Sequence, residues 1–127
     1  MREILFKGKR DNGEWVEGSI IAWKKPVILE TIFDKKNLEV RICRFEVIPE
    51  TVGQYTGLTD KNGTKIFEGD IVNIEYNTVV KNAVIEYIGA SFYGSTIADN
   101  WELDNYYEIE VIGNIHDNPE LMKEGAE

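Results

Sequence analysis

Cys43 and His116 are the only thiol and the only imidazole in the chain, so they alone could form a nucleophile–base pair. A reactive thiolate needs an electropositive, partly exposed setting. Cys43 instead lies in the alternating stretch 38–48, where a lone cysteine behaves as a small hydrophobe. His116 precedes the Asp117-Asn118-Pro119 step, a place for a structural or solvated side chain. A single cysteine also excludes an internal disulfide and a cysteine-based zinc site. The run Asp60-Lys61-Asn62-Gly63 resembles the start of a calcium loop, but the later acidic positions and the closing bidentate Glu are missing, so it reads as a turn. Asp99, Glu102 and Asp104 cluster without the spacing of a hard-cation cage. Gly53 and Gly57 lack the Lys-Ser/Thr partner of a phosphate loop, and no long helix follows them. No catalytic residue, metal site or cofactor is nominated. The expectation is a protein that is not an enzyme.

Recognition is the chemistry left. Phe92, Tyr93, Trp101, Tyr106 and Tyr107 crowd into a short segment, and aromatic side chains near strand ends give large contact area at low entropy cost. Filling the core of a small barrel is their competing use. Gly89 and Gly94 point to a loop or bulge in this region rather than a packed strand centre. Phe92, Tyr93, Trp101 and Tyr106 are taken as the candidate binding surface.

Charge narrows the partners. Across 127 residues, 14 basic and 23 acidic side chains leave a net charge of −9. Residues 1–50 carry 10 bases and 9 acids, net +1, whereas 51–127 carry 4 and 14, net −10. From 99 to 127 there are nine acids and one base, a surface that repels phosphate backbones and disfavours nucleic acid. The basic pairs Lys9/Arg10, Lys24/Lys25 and Lys35/Lys36 have acids close by and read as solvated turns. No apolar run reaches the roughly 20 residues that span a bilayer, and the start of the chain lacks a secretory signal. No membrane partner and a cytoplasmic setting are expected.

The elements that must position these residues are short strands. Asn12-Gly13 and Asn62-Gly63 are strong hairpin signals, each followed by a Glu-Gly step, Glu17-Gly18 and Glu68-Gly69. Strands are expected at 3–7, 14–23, 27–33 and 38–44. Val40 and Ile42 share one parity while Phe45 and Val47 take the other, which predicts a bulge or bend near Arg44. Residues 53–69 read mostly as an ordered loop. Half-buried strands follow, with Val72, Ile74 and Tyr76 on one face, then Ala83, Ile85 and Tyr87, then Tyr107, Ile109 and Val111. At the end, Asp117 or Asn118 can cap a helix that has Pro119 at its first position and spans two turns at most.

Three blocks carry a family resemblance. GQYTGLTDKNGTKIFEGDIV (53–72) resembles the signature of the YopX family, encoded largely by bacteriophages and prophages. FKGKRDNGEWVEGSI (6–20) is similar to the opening hairpin of that family, and VIGNIHDNPEL (111–121) to its closing strand and helix cap. The resemblance implies a mainly β fold with a small SH3-like barrel, and it transfers no catalytic residue. The alternation in 68–88 supports such a barrel independently.

These readings combine into one expectation. The fold is mainly β, with short antiparallel strands and hairpins, a small SH3-like barrel in the central and C-terminal part, and a short C-terminal helix. Residues 1–127 form a single domain, with 1–50 as an N-terminal β-hairpin layer and 51–127 holding the barrel portion and the helix. The function expected is a phage- or prophage-type accessory protein that binds another macromolecule, either a protein partner or a second copy of itself. Two alternatives are an acidic decoy that imitates nucleic acid and blocks a host DNA-binding protein, and a single-strand binder using Lys7, Lys9, Arg10, Lys24 and Lys25.

Overall fold

The computed structural model describes residues 4–21, 25–76, 79–96, 100–103 and 108–122. The fold is mainly β, and the chain divides into two compact units, 1–55 and 56–127.

The first unit opens with β1 (Phe6–Lys9) and β2 (Trp15–Ile20), antiparallel from Phe6 opposite Gly18 to Lys9 opposite Trp15. Their turn closes with Arg10 N–H donating to the Glu14 carbonyl (2.8 Å) and Gly13 N–H to the Arg10 carbonyl (2.9 Å). Only Gly13 takes a positive φ, +89°, so this is a type I turn followed by a left-handed glycine rather than a turn with two left-handed residues. β2 then leaves β1 and meets β3 (Val27–Asp34) at two positions, Ser19 opposite Leu29 and Ile20 opposite Ile28. The strands approach closely where they diverge. A Cβ on Gly18 would lie 1.9 Å from the Leu29 carbonyl oxygen.

β4 (Glu39–Glu46) pairs with all of β3, from Val27 opposite Glu46 to Asp34 opposite Glu39, without interruption. The bulge expected near Arg44 is absent. The change of parity has another cause: the two faces of one regular ribbon meet different surroundings. Phe45, opposite the buried Ile28, packs against the core of Val16, Ile28 and Val47, together with Phe6 and Val52. Val40 and Ile42 occupy the other face and are exposed. A 3-10 turn at Pro49–Thr51 follows, where the Thr51 hydroxyl accepts from Lys9 N–H and donates to the Ile48 carbonyl. β5 (Gly53–Thr59) begins in this unit, with Gly53 and Gln54 opposite Lys7 and Phe6, which gives the order β4-β3-β2-β1-β5.

The second unit contains the rest of β5 and β6 (Lys65–Phe67), hydrogen-bonded to it. The stretch read as a loop is therefore a hairpin. Threonines and glycines dilute its alternation, yet Ile66 and Phe67 are fully buried and the Thr56 hydroxyl donates to the Ile66 carbonyl. Next come β7 (Asp70–Tyr76), β8 (Val79–Ile88), β9 (Ser91–Ser95), β10 (Asn100–Glu102) and β11 (Glu108–Asn114), in the order β10-β9-β8-β7-β11. Ile66, Val72, Ile74, Ala83, Ile85, Phe92 and Ile109 form the core, as the alternation of 72–74, 83–85 and 109–111 predicts. Gly94 lies in a packed strand rather than a loop, because Ile74 fills the space a side chain would need, its Cδ1 2.8 Å from an ideal Cβ. Gly89, at φ +63°, makes the β8–β9 turn. β11 carries a register shift between Val111 and Gly113. Among the described residues no continuous ladder closes these strands into a barrel, and the expected terminal helix is a single 3-10 turn at Pro119–Met122. Asn118 there turns its side chain back to accept from Asn114 N–H, and Asn82 donates to the Leu121 carbonyl. No described helix is long and apolar enough to cross a membrane.

Gly18→Ala is expected to lower the thermal midpoint by about 5 °C or more, because the clash is with backbone and no rotamer change relieves it. Thermal unfolding followed by circular dichroism checks this; an unchanged midpoint contradicts the close approach.

Candidate functional site

The aromatic segment separates into core and surface. Phe92 is 7% exposed and belongs to the second unit's core, so it has no face to offer a partner. Strand alternation explains this: Phe92 sits opposite Tyr87 on the inward side of the β8–β9 ladder, and their rings meet at 4.7 Å with a 55° tilt. Tyr93 points the other way and is half-buried. The backbone of Trp101 pairs with Gly94. Tyr106 and Tyr107 fall outside the described residues, as do Asp99 and Asp104 of the acidic cluster. Cys43 lies on β4 of the first unit and His116 beyond β11 in the second. Among the described residues no group of three or more His, Cys, Asp or Glu is placed to hold a metal ion.

The turn that resembles a calcium loop is occupied by its own backbone. Asp60 is 8% exposed, and its Oδ1 accepts from Asn62 N–H (2.8 Å) and Thr64 N–H (2.9 Å). Its Oδ2 accepts from Val111 N–H at 2.9 Å, while Lys61 N–H donates to the Ile109 carbonyl. The carboxylate thus ties the β5–β6 turn to β11. Burial pushes its pKa up, but the amides of Val111, Thr64 and Asn62, helped by the charge of Lys61, outweigh this and hold it below the ordinary 3.8. Lys61 and Asn62 also reach the Glu110 carboxylate, at 3.9 and 3.4 Å. Asp70, fully buried, accepts from Phe67 N–H in the same structural manner.

Two of the basic side chains, Arg10 and Lys7, have partners within the first unit. Arg10 binds Glu14 at 2.7 Å and lies over the Phe45 ring, 4.8 Å from its centre. Lys7 lies over the Trp15 ring at 4.9 Å. Lys36 N–H and Asn37 N–H donate to Asp34, which shapes the β3–β4 turn.

The surface that the residue types did not single out is the far end of the β3–β4 ribbon. Cross-strand partners share a face, so Phe33 with Val40 and Thr31 with Ile42 form two successive rows on one side. Phe33, Val40 and Ile42 are 55%, 61% and 64% exposed, and Leu38 at the turn and Ile32 on the other face are exposed too. β4 is the edge of its sheet. The signal was present as the parity change in 38–48: two apolar stripes on opposite faces cannot both serve one core.

The YopX protein family matches residues 6–123. The chain belongs to the YopX family. Among solved structures, this YopX-family chain is similar to protein EF1440 from Enterococcus faecalis, with a TM-score of 0.63 and 23% identity over 97% of this chain and 100% of that one. That likeness is one of fold. No curated protein matches the chain.

Asp60→Asn is expected to destabilise the fold at neutral pH by about 1–3 kcal/mol, since an amide can accept the turn N–H groups but then sets a donor against Val111 N–H. The folded-state pKa is lowered, so the stabilisation is complete above the unfolded value and is lost as the pH falls through the folded one. Denaturant midpoints of the wild type and the variant should therefore converge below pH 3.8. A gap that stays constant with pH contradicts the assignment.

Proposed function

We propose that this YopX-family protein is a non-enzymatic interaction module, of the kind phages and prophages encode, that works in the bacterial cytoplasm and binds another macromolecule through the β3–β4 ribbon. The observation that carries this reading is the concentration of Ile32, Phe33, Leu38, Val40 and Ile42, all exposed, on one hairpin. Keeping apolar surface in water costs roughly 25 cal/mol per Å², and contiguous exposed patches mark interaction sites. The ribbon is also poorly suited to stand alone. Among the described residues, β3 pairs with β2 only at Ile28 and Leu29, so from Glu30 outward it has β4 as its single neighbour. A two-stranded hairpin is marginal in water unless a further strand or packed surface covers it.

The polar groups with chemical potential have structural work instead. Asp60 and Asp70 hold backbone amides, and the Asn114 side chain accepts from His116 N–H and Asp117 N–H in the turn after β11.

A photo-crosslinking residue placed at position 33 should give covalent adducts in cells, and one placed at the exposed Glu86 should give far fewer. Adducts of equal yield from both positions, or none from position 33, would remove the ribbon as the binding surface.

A further inference from the structure

We propose that the partner of this ribbon is a second copy of the chain, and that β4 pairs antiparallel with β4 of that copy about a two-fold axis through Val40. The inference rests on the interaction reading above and names its partner.

The edge of β4 is built to be paired. It holds eight residues in unbroken register with β3, and it contains no Lys, no Pro and no bulge, the usual devices that keep a sheet edge single. Its charges are two Glu and two Arg, alternating with Val40 and Ile42. The ribbon from 27 to 46 has four acids, Glu30, Asp34, Glu39 and Glu46, and four bases, Lys35, Lys36, Arg41 and Arg44, so 4 − 4 gives no net charge. Two such ribbons approach without net repulsion. Residues 56–127, with 4 bases and 14 acids, would repel their own copy.

Charge complementarity also selects the register. When two identical antiparallel edges meet about a two-fold normal to the sheet, side chains of the same face meet each other. Centring the axis on Arg41 sets that residue against itself. Centring it on Ile42 places Arg41 opposite the neutral Cys43 and diagonal to its own copy, and centring it on Cys43 places Val40 opposite Glu46. About Val40, Glu39 faces Arg41 of the other copy, and the same pair recurs by symmetry. On the opposite face, the row Phe33–Val40 runs on into Val40–Phe33 of the other copy as one apolar stripe. Opposite charges directly across strands stabilise a ladder and like charges destabilise it. The ladder is short, because Leu38 turns the chain at φ +55° immediately before Glu39. Side-chain rows rather than many backbone bonds therefore supply the contact, and the dimer should be a weak one.

The test is sedimentation equilibrium of the full chain over about 1–300 µM, the range in which a weak interface associates. The wild type should show a concentration-dependent dimer. Glu39→Arg and Arg41→Glu, each alone, should weaken association about tenfold by setting like charges face to face. The double variant restores both pairs and should recover to within about threefold. Both positions are exposed, and circular dichroism confirms that each variant is folded. In a Cys43→Ser background, Val40→Cys should oxidise to a disulfide-linked dimer, because residues paired across a ladder lie about 4.5–5.5 Å apart at Cα, within disulfide reach. A wild type that is monomeric throughout the range overturns the proposal, as does a dimer indifferent to the single reversals, or a double variant that fails to recover. If the wild type is monomeric while position 33 still crosslinks to a different protein, the interaction reading stands and self-pairing alone is lost.

Discussion

One carboxylate holds the second unit together. Asp60 accepts three backbone amides, two from its own turn and one from Val111, fifty-one residues further along the chain. The first two bonds shape the five-residue turn between β5 and β6, and the third docks that turn on β11. Because, among the described residues, β11 pairs only with β7 in its sheet, its other side would present bare backbone there. The Asp60 bond to Val111 and the Lys61 bond to the Ile109 carbonyl cover it, and the hydrophobic side chains of Ile66 and Ile109 are then buried in one cluster. The low pKa of Asp60 is the electrostatic signature of this arrangement: the amides are placed to receive a charge.

The first unit is held by contact rather than by charge. Gly18 lets β2 pass against the Leu29 carbonyl, after which β2 and β3 separate and the β3–β4 ribbon continues alone. The same crossing that brings Val16, Ile28 and Val47 together carries Phe33, Val40 and Ile42 away from them. Core formation and the exposed arm are thus two results of a single geometric feature. The apolar residues left over from the core, Phe33, Val40 and Ile42, lie in register along one face of the ribbon.

Much of this architecture was legible in the residues. The two Asn-Gly turns close with the same pair of backbone bonds, at 10–14 and at 60–64, as two hairpins of similar turn chemistry should, although the following Glu-Gly step lies one residue further on in the second. Alternation gave the buried faces of β7, β8 and β11, and Asp70 and Thr51 are the kind of short polar side chains that serve tight turns. Which apolar side chains stay exposed was less legible. Aromatic content alone does not separate Phe92 from Tyr93, whereas the ladder puts Phe92 on the face of Gly94 and its fully buried partner Ile85. Residues 53–69 resemble a loop in sequence because glycine and threonine weaken an alternation that two neighbouring strands make up for. The parity change around Arg44 is plain in the sequence, but a kink and a ribbon with two differently used faces give the same pattern along the chain.

The sequence by itself determined the class of structure: strands, their turns, and most side chains facing the two cores, because period-two alternation and Asn-Gly chemistry act over a few residues. It also determined that polar clusters such as Asp60-Lys61-Asn62-Gly63 are turn material. Tertiary structure alone decided which apolar side chains stay outside. That choice depends on where β2 leaves β3 and on which strand ends a sheet, and both are settled by contacts between residues far apart in the chain, such as Gly18 with Leu29 and Asp60 with Val111. Local pattern records a preference for burial, whereas the supply of covering surface is a property of the assembled sheets.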